Sequence, residues 1–100
     1  MGDYINAGFI NCQRDGYFVK LSGYFTLLKD IPSSANTKIG NLTSDDTPKV
    51  DVYFSLVNAN GISYLAYMNT LGEVVICNYT GNTISKNTQL YIVGLEWYYK

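Results

Sequence analysis

The sequence contains no histidine, and only 15% of its 100 residues are charged. Histidine is the side chain most used for proton transfer near neutral pH and for binding zinc or copper, so its absence argues against most acid–base and metal-dependent enzymes. The formal net charge is −1, which predicts no basic surface for the phosphates of a nucleic acid. A partner must therefore be recognised by shape, ring stacking and hydrogen bonds.

Cysteines and long apolar runs are also scarce. Cys12 and Cys77 are too far apart in sequence for a CxxC motif and too few for a disulfide framework, so two free thiols are expected. The N-terminus has no basic region followed by an apolar run, which predicts no secretory signal. No apolar run approaches the ~20 residues of a membrane-spanning helix, so we expect a soluble chain without membrane insertion, or a domain cut from a longer protein.

What the sequence has in abundance is the alternation typical of β-strands. Residues 17–28 alternate apolar and polar side chains, and Gly23 interrupts the inward face where a bulge or bend is expected. A strand that bends at this position can serve two sheets. The residues predicted to face inward are Tyr17, Val19, Leu21, Phe25 and Leu27.

From residue 50 onward the pattern predicts consecutive antiparallel strands. Asn60-Gly61 predicts a type I′ turn joining residues 52–58 to residues 62–69, and Leu71-Gly72 closes a second hairpin into residues 73–79. Residues 89–99 are predicted to form one terminal strand. The residues expected to face inward in the first and the last of these strands are Val50, Val52, Phe54, Leu56, Tyr91, Val93, Leu95, Trp97 and Tyr99.

These segments define the expected fold. Residues 4–12 add an N-terminal strand, and residues 37–42 add a short edge strand within an otherwise loop-like stretch at 30–49. The total is seven or eight strands with a turn signal roughly every 8 to 12 residues, which is typical of an antiparallel β-sandwich or jelly roll. The sequence therefore predicts one all-β domain over residues 1–100, with no helix.

Few side chains suggest catalysis. A glycosidase needs two carboxylates about 5 to 10 Å apart, and nothing in the spacing of Glu73, Glu96 and Asp51 predicts that they converge. The acidic pair Asp45-Asp46 lies in a loop but lacks the ligand order of a calcium-binding EF-hand. We therefore expect a non-enzymatic protein with no catalytic residues, no metal and no cofactor.

Tyrosine is the most informative residue type, with 10 copies. An outward tyrosine can stack its ring on a sugar while its hydroxyl stays in water, and the 10 Asn, 8 Thr and 7 Ser suit hydrogen bonding to sugar hydroxyls. The alternative is that some of these tyrosines are buried in a second layer or at a subunit interface. A strand whose inward and outward faces are the reverse of those predicted would place its tyrosine in such a position. The candidate ligand-binding residues are the predicted outward tyrosines Tyr24, Tyr53, Tyr67 and Tyr98.

Four stretches carry a resemblance to a known group of proteins. They are residues 19–27 (VKLSGYFTL), residues 37–42 (TKIGNL) with Pro48 after them, residues 64–76 (YLAYMNTLGEVVI), and the aromatic end at 95–99 (LEWYY). Alternating strands with glycine turns thus precede a closing aromatic strand. Over residues 16–100 the chain resembles the small β-sandwich domains that end bacteriophage tail-fibre and baseplate receptor-binding proteins.

The resemblance implies a receptor-binding head that recognises a bacterial surface saccharide or envelope protein, usually as a homotrimer at the fibre tip. It also implies a virion component assembled in the bacterial cytoplasm, where unpaired cysteines are normal. Two other classes stay open. One is a structural module of the tail apparatus whose aromatic residues make subunit contacts, and the other is a secreted carbohydrate-binding module.

Overall fold

The computed structural model describes residues 4–41 and 47–98, which form eight antiparallel β-strands. No helix occurs in these two ranges, and so none that could cross a membrane. The predicted all-β, sandwich-like antiparallel class with seven to eight strands is confirmed. The strands are β1 (Ile5–Asp15), β2 (Phe18–Leu27), β3 (Ala35–Asn41), β4 (Val52–Val57), β5 (Ser63–Met68), β6 (Glu73–Asn78), β7 (Gln89–Val93) and β8 (Leu95–Tyr98).

The strands form one curled sheet in the order β1-β2-β7-β4-β5-β6-β3, and β8 also pairs with β2. Strands β4, β5 and β6 are the predicted consecutive hairpins, whereas β7 returns to lie between β2 and β4. Alternate apolar side chains point to the inside of the curl and form the core. Its largest fully buried members include Phe25, Leu27, Ile31, Leu56, Met68, Ile76, Leu90 and Leu95.

Strand β2 changes partner at the predicted interruption. Its residues 18–21 pair with β8, and its residues 24–26 pair with β7, so Gly23 lies between the two pairings. On its other side β2 pairs with β1 along most of its length. Strand β2 thus joins both partners within one sheet, not two sheets as the sequence suggested, and Gly23, with a φ of +105°, is the point at which the partner changes.

The C-terminal segment forms two strands, β7 and β8, and not the single strand that was predicted. The side chains predicted to face inward do so in β8 but not in β7. Tyr91 and Val93 are 41% and 52% exposed, whereas Leu95 and Trp97 are buried as predicted. Gly94 separates β7 from β8 with a φ of +80°, a conformation that glycine adopts at little cost. One extra residue of this kind reverses the faces of the strand that follows it. Tyr99 lies outside the described residues.

Two other predicted inward residues face solvent, because each precedes its strand. Tyr17 is in the turn before β2 and Val50 comes before β4, and both are exposed. The alternation is correct once pairing begins, so Val19 and Leu21 are buried in β2, and Phe54 is buried in β4. The errors at Tyr17 and Val50 thus lie just outside the strands, where the ladder does not fix the side-chain direction, unlike those in β7.

The β4–β5 hairpin is confirmed, but its turn is not type I′. The backbone N–H of Gly61 donates to the carbonyl O of Asn58 at 3.0 Å, and Gly61 has a φ of +83° whereas Asn60 does not have a positive φ. The Asn58 Oδ1 accepts hydrogen bonds from the backbone N–H groups of Asn60 and Ile62, at 2.9 and 3.0 Å. This is a three-residue loop that ends in a left-handed glycine.

The same arrangement recurs at the β5–β6 hairpin. The N–H of Gly72 donates to the carbonyl O of Asn69 at 2.9 Å, and the Asn69 Oδ1 accepts from the N–H groups of Leu71 and Glu73. Both hairpins therefore follow the sequence Asn-x-x-Gly, in which asparagine caps the turn and glycine supplies its last residue. A third copy, at residues 78–81, begins with an asparagine that is fully buried.

Candidate functional site

All four candidate tyrosines lie in cross-strand aromatic pairs on the outside of the curled sheet. The Tyr53 and Tyr67 rings, on β4 and β5, have centroids 5.5 Å apart. The Tyr24 ring on β2 lies 5.2 Å from that of Tyr91 on β7. Directly opposed aromatic residues stabilise a sheet and hold one another in place. The rings are therefore ordered before any ligand binds.

The third pair joins Tyr98 of β8 to Phe18 of β2, with an edge-to-face geometry and centroids 5.2 Å apart. It borders an open groove of about 450 Å³ that carries charges of both signs. This pair is on the other side of Gly23 from the Tyr24–Tyr91 pair, six residues away along β2. The groove is lined by Gln13, Arg14, Asp15, Phe18 and Lys20.

The two tyrosine pairs on β2, β7, β4 and β5 share one surface. On β4, Ser55 lies opposite Val93 on one side and Leu65 on the other, and both apolar side chains are half exposed. Tyr91 lies opposite Val57, four residues from Tyr53, so the pairs are roughly 13 Å apart along β4. We call this surface the outer strip; it consists of Tyr24, Tyr53, Ser55, Leu65, Tyr67, Tyr91 and Val93.

The phenol of Tyr67 is held in its neutral form. Burial raises its pKa, and Cys77, Asp51 and Tyr53 raise the pKa further because each of them is negative when ionised. The hydroxyl therefore remains protonated through the physiological range and can both donate and accept a hydrogen bond.

Strand β6, which flanks the outer strip, is buried on both faces. Val74 and Ile76 belong to the core, whereas Val75 and Cys77 point to the outside and are also buried. At the far end of this face the Tyr79 hydroxyl donates to the Asn36 Oδ1 at 2.7 Å. The β5 edge of the outer strip, which carries Leu65 and Tyr67, is therefore bordered by packed side chains.

Tyr91 is the site residue that sequence reasoning missed. It was predicted to face the core, because an unbroken alternation through residue 99 would place it beside Leu95 and Trp97. Gly94 was the available signal, since a glycine inside a strand pattern marks a possible bulge. With the alternation restarted at Gly94, Tyr91 faces outward and pairs with Tyr24.

The carboxylates that were weighed for catalysis have other surroundings. Glu73 forms an ion pair with Lys38, with Oε2 and Nζ 2.9 Å apart, and this hydrogen bond lowers the Glu73 pKa. Glu96 lies opposite Lys20 in the β2–β8 ladder. Within residues 4–41 and 47–98, no group of three His, Cys, Asp or Glu side chains could hold a metal ion. Asp45-Asp46 falls outside the described residues.

No known protein family matches the sequence, and no curated protein or solved structure is significantly similar to it. The resemblance to tail-fibre and baseplate domains therefore stays a prediction made from strand and turn patterns.

Both cysteines are free, as predicted, and they differ in exposure. We expect Cys12 to react with a thiol reagent in the folded protein and Cys77 to react only after unfolding, because burial both shields Cys77 and raises its pKa. The stabilisation gained by keeping this thiol protonated is present below the ordinary thiol pKa and is lost as the pH rises through the raised value.

Thiol counting with Ellman's reagent, with and without denaturant and in the absence of reductant, checks this expectation. One rapid thiol in the native protein and two in denaturant are expected. Two rapid thiols in the native protein would show that β6 is open on its outer face. A Cys77→Ser variant identifies which thiol is the slow one.

Proposed function

We propose that this protein is a non-enzymatic binding domain that recognises a saccharide on the bacterial surface through its outer strip. The observation that carries the proposal is the presence of two ordered tyrosine pairs, Tyr53–Tyr67 and Tyr24–Tyr91, on one exposed sheet face. Rings held by strands are ready to stack on sugar rings, so little conformational entropy is lost on binding. Tyr98 stays a candidate contact beside Phe18, at the other end of β2.

The spacing of the two pairs favours an extended ligand. A single sugar ring covers one aromatic pair, whereas pairs offset by roughly 13 Å along the strands and about 10 Å across them suit an oligosaccharide or polysaccharide that runs across β4. The strip contains no charged side chain, so recognition rests on stacking and hydrogen bonds. Neither nucleic-acid binding nor membrane insertion is part of the proposal.

The biological setting that fits this proposal is the receptor-binding head of a phage tail fibre or baseplate, present as a homotrimer in the virion. A site built from stacking contacts is weak on its own, since an aromatic contact contributes about 1 kcal/mol. Three copies on one fibre raise the overall affinity through avidity. A bacterial envelope protein could take the place of the saccharide in such a head.

Single alanine variants of Tyr24, Tyr53, Tyr67, Tyr91 and Tyr98 test the proposal on an array of bacterial polysaccharides, with each protein displayed multivalently. We expect Tyr53→Ala and Tyr91→Ala to lose most of the array signal, because each substitution removes a ring from one pair. Their melting temperatures should stay within a few degrees of the wild type, as is usual for surface changes.

Tyr17→Ala is the matched control for these variants. Tyr17 is an exposed tyrosine in the β1–β2 turn, away from the outer strip, so its removal should leave array binding unchanged. If all the strip variants bind the array as the wild type does, the outer strip is not the binding surface. Loss of binding together with folding would instead assign these rings a structural role.

A structural module of the tail apparatus is the second candidate, and the half-exposed Leu65 and Val93 in the middle of the strip favour it. Apolar side chains of this kind are typical of contacts between protein subunits. Under this alternative, Leu65→Ser changes the mass of the assembly measured by light scattering. Neither the wild type nor the variant then binds the glycan array. Under the saccharide proposal, the same variant keeps its assembly state and weakens array binding.

A further inference from the structure

A second surface feature adjoins the tyrosine pair Tyr24–Tyr91. It is an open groove of about 370 Å³ between the β4–β5 turn and the turn at residues 85–88. Five of its six lining residues carry an amide or a hydroxyl, and none carries a charge. They are Asn58, Ala59, Asn60, Asn87, Thr88 and Gln89.

The first wall of the groove is fixed by its own hydrogen bonds. The Asn58 Oδ1 accepts from the backbone N–H groups of Asn60 and Ile62, so the asparagine that begins the turn is locked in place. The side chain of Asn60 is exposed at the tip of this turn. A ligand amide or hydroxyl in the groove therefore meets a turn that is already ordered.

The second wall is tied to the end of β2. The N–H of Asn87 donates to the carbonyl O of Leu27 at 2.8 Å, and the N–H of Leu27 donates to the carbonyl O of Thr88 at 2.9 Å. The Asp30 carboxylate also accepts from the N–H of Lys86 at 2.7 Å. Asn87 has a φ of +71°, a conformation that asparagine tolerates better than most residues do.

The groove leads directly onto the outer strip through β7. Gln89 lines the groove, Leu90 points into the core, and Tyr91 is therefore on the same face as Gln89. Two residues along a strand span roughly 7 Å, which is close enough for one saccharide unit to contact both side chains. The amides of the groove and the paired rings thus form one continuous surface.

We infer that the groove is the hydrogen-bonding part of the saccharide site, and that it selects a neutral, hydroxyl-rich saccharide. Amide and hydroxyl groups both donate and accept, which matches sugar hydroxyls. A carboxylate or phosphate group on a ligand would need a cation to offset its desolvation, and no cation lines the groove. This inference rests on the proposed function, because it names the ligand class of the same site.

Variants of the groove test the inference on the full chain. The probe is an array of bacterial polysaccharides that includes neutral members and members with uronic acid or phosphate groups. We expect the wild type to bind neutral members only. Asn60→Ala and Gln89→Ala should each weaken that binding by about 3- to 10-fold, as expected for the loss of one hydrogen bond.

Gln13→Ala is the matched control, because Gln13 is an exposed amide in the other groove and should not affect binding. Binding should also be unchanged between low and high salt, since no ion pair is involved. Melting curves of the two groove variants should overlay that of the wild type, which separates lost binding from lost folding.

The outcomes separate the inference from the proposed function. If Tyr91→Ala loses binding while Asn60→Ala and Gln89→Ala bind as the wild type does, the groove is not part of the site, and the tyrosine proposal stands. Binding to acidic members only would overturn the neutral ligand class. No binding to any member of the array would overturn the proposed function and this inference together.

Discussion

Replacing Asn78 with alanine is expected to lower the free energy of unfolding by about 3 kcal/mol, with a fall in melting temperature of roughly 15 °C. Asn78 is fully buried, and its Nδ2 donates to the carbonyl oxygens of Ile31, Pro32 and Asn82 at 3.3, 3.2 and 2.9 Å. Alanine removes these hydrogen bonds together. The loss of several buried bonds costs more than that of a single exposed one.

Asn69→Ala is the matched control, because Asn69 has the corresponding position in an Asn-x-x-Gly turn but is only half-buried. Its Oδ1 accepts from two backbone N–H groups and its Nδ2 donates to the Glu73 Oε1, but water can reach these contacts and replace them, so a loss of about 1 kcal/mol is expected. Chemical denaturation followed by fluorescence measures both variants. Equal losses for Asn69→Ala and Asn78→Ala would show that burial does not strengthen the contacts of Asn78.

The largest expected effect is that of Phe25→Ala, at about 4 kcal/mol. Phe25 is almost completely buried near the C-terminal end of β2, where it pairs with Leu90 of β7. Removing its ring leaves a cavity in the part of the core that connects these strands. Since small domains are stable by about 5 to 15 kcal/mol, the variant is expected to be close to the limit of folding.

Tyr24→Ala provides the comparison on the same strand. Tyr24 is the adjacent residue, and its ring is on the outer face against Tyr91, so its loss should cost only about 1 kcal/mol. Denaturation midpoints of the two variants measure the difference between the faces of β2. Equal midpoints would mean that the core does not lie on the Phe25 side of the strand.

Most of the fold followed from alternation, because burial of one sheet face imposes a period of two. The inward positions Val19, Leu21 and Phe54 were correct for this reason, as were the hairpins around Gly61 and Gly72. The type of the β4–β5 turn was not predictable from Asn60-Gly61 alone. Asn58 decides it, because its side chain caps the two N–H groups of a longer loop.

The pairing of strands that are far apart in the sequence could not be predicted from local patterns. Alternation does not say that β7 inserts between β2 and β4, nor that β3 pairs with β6. Unbroken alternation also placed Tyr91 on the wrong face of the sheet. The extra residue Gly94 means that Tyr91 and the buried Trp97 lie on opposite faces. The outward assignment of Tyr53 and Tyr67 was correct, but their pairing with each other depends on the hairpin register.

The role of Asn78 could likewise not be predicted from the composition of the sequence. Its turn has the same Asn-x-x-Gly pattern as the two exposed hairpins, and a search for that pattern would have found all three copies. Only the packing of residues 31–32 and 82–84 around it makes the third copy buried. Tertiary contacts thus make this copy of the motif a buried site whose asparagine is hydrogen-bonded to two other segments of the chain.

Whether the outer strip binds a saccharide is tested most directly by NMR titration of the isotope-labelled protein with the polysaccharide that the array selects. The predicted result is a set of chemical-shift changes at Tyr24, Tyr53, Tyr67 and Tyr91, with the core residue Phe25 nearly unaffected. Changes confined to the charged groove beside Phe18 and Tyr98, or no changes at saturating polysaccharide, would contradict the assignment of the outer strip as the binding surface.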